Sequence, residues 1–310
     1  NFKKILNHHF QPDSYVFICK GEDVLPLVVK NNVAYFYGGS LPYNDYNVVP
    51  NDREIINEAI KYLKINRINF CLTSITKDPT DNLADQNLNY DVPYNQNWVY
   101  KNLSKYNQAD LLKSIKIKKK RDKVKRAIKK STDYKFKQIG KEDFKSEYME
   151  IFLKLSIDSF ERRGRSNTWK EYSLLYKDIS NYFVDNFICV NKALFRGDEI
   201  VGSYCLVIND SECFLAFCNN FVLSDENIPY ILYLDALDES KKECKTLDRI
   251  FNAGRGSFSY KKRLGFTPEP MYALVNTPKW QKKYNHDLSI EETLKLYGRD
   301  FYSMRLENEK

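Results

Sequence analysis

Histidine is nearly missing from this chain: His8, His9 and His286 are the three in 310 residues. None has an acidic or thiol partner at ligand spacing, so neither a structural nor a catalytic zinc is expected. The seven cysteines, Cys19, Cys71, Cys189, Cys205, Cys213, Cys218 and Cys244, are odd in number and form no CxxC pair. Most lie inside apolar runs, as small buried hydrophobes do, which reads as a reducing compartment and not as a disulfide framework. No run reaches the roughly 18 apolar residues that span a bilayer, and the first residues lack a secretory-leader profile. The expected location is therefore cytoplasmic, free or associated with the inner face of a membrane. Because the sequence starts at Asn1, a segment removed upstream stays open.

Aromatic residues are plentiful. Tyr 23 and Phe 19 bring the aromatic share to 15%, which argues against disorder, and a length of 310 residues accommodates two domains. The net charge of +8 is localised. Residues 113–130 hold eleven Lys and Arg against the single acid Asp122, so the rest of the chain is close to neutral.

The second half has the clearer pattern. Residues 144–162 and 168–184 carry apolar side chains at helical spacing, and a polar loop separates them. Three β-like runs follow at 187–195, 200–208 and 212–222, the first two joined through Gly197 and Asp198, a tight hairpin signal. A helix over 229–245, a strand over 247–251, a short helix over 257–264 and a strand over 271–275 complete the order ααβββαβαβ. The first half repeats the scheme more weakly: strands at 15–20, 24–30 and 33–37, a helix over 52–64, and strands at 68–73 and 98–103. Its hairpin turn Lys20-Gly21-Glu22-Asp23 occupies the slot of Arg196-Gly197-Asp198-Glu199, which points to internal duplication. The expected organisation is an N-terminal domain over 1–107, a basic linker helix over 108–131 and a C-terminal domain over 132–310. Within the linker, Ile117, Val124 and Ile128 form a narrow apolar stripe for docking.

The βββαβ order, ending in Asn252-Ala253-Gly254-Arg255-Gly256-Ser257 and then Tyr260-Lys261 and Gly265-Phe266, resembles the acyl-CoA half of the GNAT superfamily. Within it, the Gly-rich turn followed by Tyr260-Lys261 and Gly265 resembles the CelD/BcsL-type acetyltransferases. The segment Tyr37-Gly38-Gly39-Ser40-Leu41-Pro42-Tyr43-Asn44 and the basic helix resemble the FemAB proteins, which carry two GNAT folds in tandem. The resemblance covers roughly residues 14–276. It implies an α+β fold of two tandem GNAT-like domains, each a mixed, mostly antiparallel sheet flanked by helices, joined by the basic helix. It also implies a gap between two neighbouring strands that receives the arm of an acyl donor.

The site residues follow from that resemblance. Phe217, Cys218 and Asn219 stand at the rim of the gap and, with Tyr230, Gly254, Arg255, Gly256 and Lys261, are the expected contacts of acetyl-CoA or another acyl-CoA. Tyr260 and Asn252 are the candidate catalytic residues, Tyr260 as the acid for the departing thiolate. GNAT enzymes usually place that tyrosine four residues before the Gly-Phe glycine. Here that position is Lys261, and Tyr260 points about 100° away on a helix. Arg163, Arg165 and Tyr43 are candidate contacts of an anionic, small-molecule or glycan-precursor acceptor; a solvated helix end and a surface loop are the plainer readings. The loop over 222–230 lacks the family's glycines and carries Asp225 and Glu226, which would repel a pyrophosphate, so another activated donor stays open. The basic run from Lys113 to Lys130 reads as a solvated linker, a tRNA phosphate contact or a contact with an anionic membrane surface. It contains no aromatic residue for base stacking. The expected activity is acyl transfer to an amine or hydroxyl of a sugar, amino acid or cell-envelope precursor. A FemAB-like aminoacyl transfer from charged tRNA and an inactive binding protein of the same fold are the alternatives.

Overall fold

The structure, a computed structural model, describes residues 2–37, 53–75, 91–162, 168–209, 212–243, 249–255 and 259–276. In chain order come α1 (Phe2–His9), β1 (Ser14–Lys20), β2 (Asp23–Lys30), β3 (Val33–Phe36), α2 (Arg53–Ile65), β4 (Asn69–Ile75) and β5 (Asp91–Tyr100). There follow α3 (Gln108–Ser114), α4 (Lys118–Lys130), β6 (Lys135–Ile139), α5 (Lys141–Asp143), α6 (Met149–Arg162), α7 (Thr168–Glu171) and α8 (Ser173–Asn186). The chain continues with β7 (Ile188–Arg196), β8 (Glu199–Ile208), β9 (Glu212–Asn220), α9 (Ile228–Glu243), β10 (Ile250–Arg255), α10 (Ser259–Arg263) and β11 (Thr267–Val275). Two compact units result: residues 1–97 with 269–310, and residues 98–268.

In the first unit the strand order is β1-β2-β3-β4-β11. β1, β2 and β3 are antiparallel, and α2 carries the chain across to β4, which runs parallel to β3 through Val33↔Asn69 and Ala34↔Phe70. The repeat of Leu25, Leu27 and Val29 on one face of β2 meets Ile55, Ile60 and Leu63 of α2 in one apolar core. β11 closes the sheet antiparallel to β4, with Leu274 buried in that core. Its end is clamped by Asn276, whose side-chain oxygen accepts from the Phe70 amide at 2.6 Å and whose own amide donates to the Phe70 carbonyl at 3.2 Å.

The second unit repeats the scheme: β7, β8 and β9 are antiparallel, α9 crosses over, and β10 returns parallel to β9. Each unit thus holds three antiparallel strands, a helix and a parallel strand, a mixed sheet flanked by helices, as the duplicated pattern implied. Both hairpin glycines adopt a left-handed backbone, φ 59° at Gly21 and 60° at Gly197, which a glycine accepts without strain. β6 adds an edge strand beside β7 that the sequence pattern did not announce, because Lys135-Phe136-Lys137-Gln138-Ile139 is mostly polar.

Helix α9 is apolar nearly all round, as a helix covered on several sides must be: Ile228, Tyr230, Ile231, Leu232, Tyr233, Leu234, Ala236 and Leu237 are all buried. An ion network also ties it to the sheet. Lys192 on β7 donates to Asp235 at 2.9 Å and to Glu239 at 2.8 Å, while the Tyr204 hydroxyl on β8 donates to Asp235. Removing one partner from so enclosed a pair leaves an uncompensated charge, so this network fixes where α9 lies.

Three expectations need correction. The helix foreseen over 108–131 is broken into α3 and α4, because Ile115 and Ile117 take extended backbone and the Ser114 hydroxyl caps the Leu111 carbonyl at 2.7 Å. The docking stripe of α4 is accordingly Val124 and Ala127, both fully buried, with Ile128 beside them, while Ile117 is 53% exposed. The helix over 168–184 is interrupted at Tyr172, which separates α7 from α8. Among the described residues no helix is long and apolar enough to cross a membrane.

Gly202 on β8 lies directly under α9: a Cβ there would stand 3.0 Å from Leu232 and 3.1 Å from the Asn219 carbonyl oxygen. Gly202→Ala is expected to cost about 1–3 kcal/mol by overpacking, read as a lower urea midpoint with an unchanged m-value.

Candidate active site

β9 and β10 pair only at their beginnings, through Ile250↔Glu212, Phe251↔Cys213 and Asn252↔Phe214. Beyond that point the two strands part. The cause lies on the other edge of β9, where Cys205 faces Phe217 but Leu206 faces Leu215, so that Ala216 is an extra residue in the ladder. Such a bulge bends its strand and increases the local twist. β9 is thereby turned away from β10 two residues after their last pair, leaving residues 215–220 with an edge that β10 does not cover.

The throat of the opening is built from polar groups. Asn252 is held at both ends of its amide: its Nδ2 donates to Glu212 at 3.2 Å, and its Oδ1 accepts from the Gly254 amide at 2.9 Å. Burial raises the Glu212 carboxyl above its usual range, against the opposing effect of its hydrogen bonds. Gly254 has φ 67°, a conformation that interrupts the alternation of strand carbonyls. The carbonyls of Ala253 and Gly254 both accept from the Lys261 ammonium, at 2.8 and 3.1 Å. The Lys261 side chain belongs to a residue only 1% exposed. Burial pulls its pKa down to about 7, and the neighbouring Cys218 thiol offsets part of that. Cys218 itself is pushed up to about 12 by burial, so at neutral pH it is a thiol and not a nucleophilic thiolate.

Around this centre, Tyr260 on α10 packs edge-on against Tyr233 at 5.3 Å and Tyr230 at 6.1 Å, both on α9. The Tyr230 hydroxyl accepts from Arg263 at 2.5 Å. On the opposite face of the sheet Phe217 meets Trp169 at 6.2 Å, and Trp169 stacks on Tyr176 at 4.1 Å. There α6 is pinned to the end of β9: Ser159 donates to the Asn220 carbonyl at 3.2 Å and Arg162 to the Phe221 carbonyl at 2.9 Å. Alongside is a cavity of about 940 Å³ whose walls include Asp158, Glu161, Asp198 and Glu199 with Leu155, Ile200 and Phe221.

Solved structures of similar architecture now give this geometry its context. FemX aligns over 91% of this chain and 93% of its own length with a TM-score of 0.58 at 12% identity. L-PGS from Bacillus licheniformis aligns over 96% and 97% with a TM-score of 0.55 at 10% identity. The fold is GNAT/FemAB-like. A conserved protein of unknown function from Bacteroides thetaiotaomicron aligns with a TM-score of 0.57 at 14% identity, over 89% of this chain and 90% of that one. No family profile and no curated protein matches the sequence.

Within the GNAT/FemAB-like frame the structure gathers Phe217, Cys218, Asn252, Gly254 and Lys261 about the opening, with Tyr230 and Tyr260 behind Lys261. Asn219 pairs with Ser203 on β8, one residue before the end of β9. The segment read as a turn from Asn252 is strand as far as Arg255, whose side chain, like Gly256, Arg163, Arg165 and Tyr43, lies outside the described residues. What the sequence did not disclose is the bulge at Ala216, a matter of register between strands and not of residue type.

The coenzyme A expectation can be tested against the amino end of α9, where the fold would seat a pyrophosphate. Two of the chain's own carboxylates, Asp225 and Glu226, stand beside that end. Asp225 Oδ1 accepts from the Asn227 amide at 2.9 Å and its side chain at 2.7 Å, while Oδ2 accepts from the Tyr134 hydroxyl. Partial burial works against ionisation, yet these hydrogen bonds hold Asp225 below the usual carboxylate range. The residues at this helix end do not fit a pyrophosphate bound on backbone amides.

The depressed Lys261 pKa carries a stability signature. Between about pH 7 and the ordinary lysine value near 10.4 the unfolded chain binds a proton that the folded one lacks, so this group makes stability rise with pH. Thermal melts of Lys261→Met and the parent chain, taken from pH 7 to pH 10, should show the parent gaining on the variant. Parallel curves would mean that Lys261 is not titrating in the folded state.

Proposed function

We propose that the second unit is a transferase centre that moves an acyl group, in the manner of FemAB-like aminoacyl transfer, from a phosphate-bearing carrier to an amine. The observation carrying this reading is the opening between β9 and β10 with a buried lysine at its throat. A donor's extended arm can lie along residues 215–220, past the end of the β10 pairing, in the manner of an added strand, which brings its carbonyl carbon to the throat beside Lys261. The carboxylates Asp225 and Glu226 beside the amino end of α9 favour an aminoacyl ester donor over a coenzyme A pyrophosphate held on backbone amides, and the basic helix α4 suits an RNA carrier. The carboxylate-rich cavity beside α6 suits an acceptor bearing a cationic group.

The chemistry is direct. The acceptor's neutral nitrogen attacks the ester carbonyl carbon, a C–N bond forms, the C–O bond to the carrier breaks, and the departing oxygen takes a proton while the new amide nitrogen loses one. The protonated Lys261 supplies that proton or holds the developing oxyanion, its position fixed by the Ala253 and Gly254 carbonyls. No covalent enzyme intermediate is needed, in keeping with a Cys218 thiol far from ionisation at neutral pH.

The assay pairs a labelled aminoacyl-tRNA pool with primary-amine acceptors and runs acetyl-CoA in parallel. Acceptor-dependent amide formation is expected with the aminoacyl donor. Lys261→Met should lower kcat by about 100-fold or more while leaving KM within a few-fold. The parent rate should fall as pH rises through about 7, where Lys261 loses its charge. Turnover of acetyl-CoA alone would overturn the donor assignment, and an unimpaired Lys261→Met would overturn the role of the lysine.

A further inference from the structure

One cavity lies beside the amino end of α9 and has no part in the chemistry above. Its volume is about 320 Å³, and it is lined by Lys123, Arg126, Lys130 and Arg196 together with residues 224–227 and Tyr230. Lys123, Arg126 and Lys130 recur at intervals of three and four on α4, so they share one face of that helix. Arg196 joins them from the β7–β8 hairpin. Within the walls the carboxylates are accounted for: Glu226 is bound to Lys123 at 2.8 Å, and Asp225 is engaged with Tyr134 and Asn227. Arg196 is held by Glu199 at 2.9 Å. Arg126 and Lys130 are exposed and make no ion pair among the described residues. Four cations thus face two carboxylates across a concave surface, and two of those cations have their hydrogen-bonding capacity in hand.

We infer that this cavity is a side-chain phosphate site, in which Arg126 and Lys130 bind a phosphate or phosphodiester group of the donor, while Lys123 and Arg196 shape the walls. The inference rests on the transferase reading above for the word donor, but the anion site stands on its own lining. A guanidinium matches two phosphate oxygens with paired donors, and an ammonium adds a point charge. The site adjoins the amino end of α9 but binds through side chains of α4 and not through the backbone amides of that end. It also separates two readings of the basic run: if α4 acts only through its net charge, any pair of its lysines is equivalent, whereas a built site makes the pair Arg126 and Lys130 special.

The experiment compares Arg126→Ala/Lys130→Ala with Lys118→Ala/Lys125→Ala, which removes the same charge from α4 at positions that do not line the cavity. Both double variants change exposed side chains, and thermal melts establish that each is folded. Three probes are titrated at one salt concentration: inorganic pyrophosphate, coenzyme A, and a short RNA stem ending in a single-stranded CCA. The cavity variant should bind pyrophosphate at least tenfold more weakly than the parent, and the control variant within twofold of it. The same ranking with the RNA, and not with coenzyme A, assigns the phosphate to a nucleic-acid carrier; the reverse assigns it to a coenzyme. Equal losses in the two variants, or no saturable pyrophosphate binding by the parent chain, would overturn the site. If the cavity variant loses phosphate binding while no donor is turned over by the parent, the site holds and the transferase reading fails. If transfer proceeds with donor KM unchanged in the cavity variant, the reading holds and the site fails.

Discussion

An extra residue in one strand governs the candidate site. Because Ala216 has no partner on β8, β9 bends, its pairing with β10 ends at Phe214, and an edge is released inside what would otherwise be a continuous ladder. A strand edge that a neighbouring strand leaves is normally a liability, and proteins cover or charge it. Here a single ammonium, Lys261, enters on the β10 side and takes two consecutive carbonyls that Gly254 turns toward it. The burial of that ammonium, unfavourable for a charge, is what brings its pKa to about 7 and makes it able to exchange a proton near neutrality. The positions of Tyr230, Tyr233 and Tyr260 then follow, since they form the aromatic wall behind the lysine.

The electrostatics of the second unit are more local than the overall charge suggests. The run of cations on α4 does not form one uniform surface: Lys123 is committed to Glu226, Arg121 reaches the Ile115 carbonyl, and Arg126 and Lys130 face the cavity at α9. On the α6 side carboxylates outnumber cations in the lining of the larger cavity, with Glu161 paired to Lys170, Glu199 to Arg196, and Arg162 reaching the Phe221 carbonyl. The loop between β9 and α9 thus separates a cationic recess from an acidic one, an arrangement suited to a carrier and an acceptor of opposite charge.

Much of this was legible in the residues. The hairpin at Gly197 and the three β-like runs of β7, β8 and β9 announced the sheet, and the helix read over 229–245 is α9. The residues alone made Tyr260 the candidate acid and Lys261 a cofactor contact, although Lys261 holds the position four before Gly265; in the structure it is Lys261 that donates to the Ala253 and Gly254 carbonyls, while Tyr260 packs against Tyr230 and Tyr233. Other features were not legible because they depend on partners distant in sequence. The bulge at Ala216 is a property of two strands in register. The acids Asp225 and Glu226, which read as simple repulsion toward a phosphate, are engaged by Tyr134 and Lys123 from 91 and 103 residues away. The break between α3 and α4 hinged on Ser114 capping its own helix, a local competition that the apolar spacing of Ile117, Val124 and Ile128 concealed.

The return of β11 to the first unit bears on how the protein is made. Leu274 and the clamp at Asn276 complete a sheet whose other strands leave the ribosome some two hundred residues earlier, as the separation of 206 between Phe70 and Asn276 records. Throughout that interval β4 has an open margin and an unfinished core, in a nascent chain already long enough to meet neighbours. A premature stop just before β11 would therefore damage the amino-terminal half of the molecule, the part translated first and farthest from the lesion in sequence.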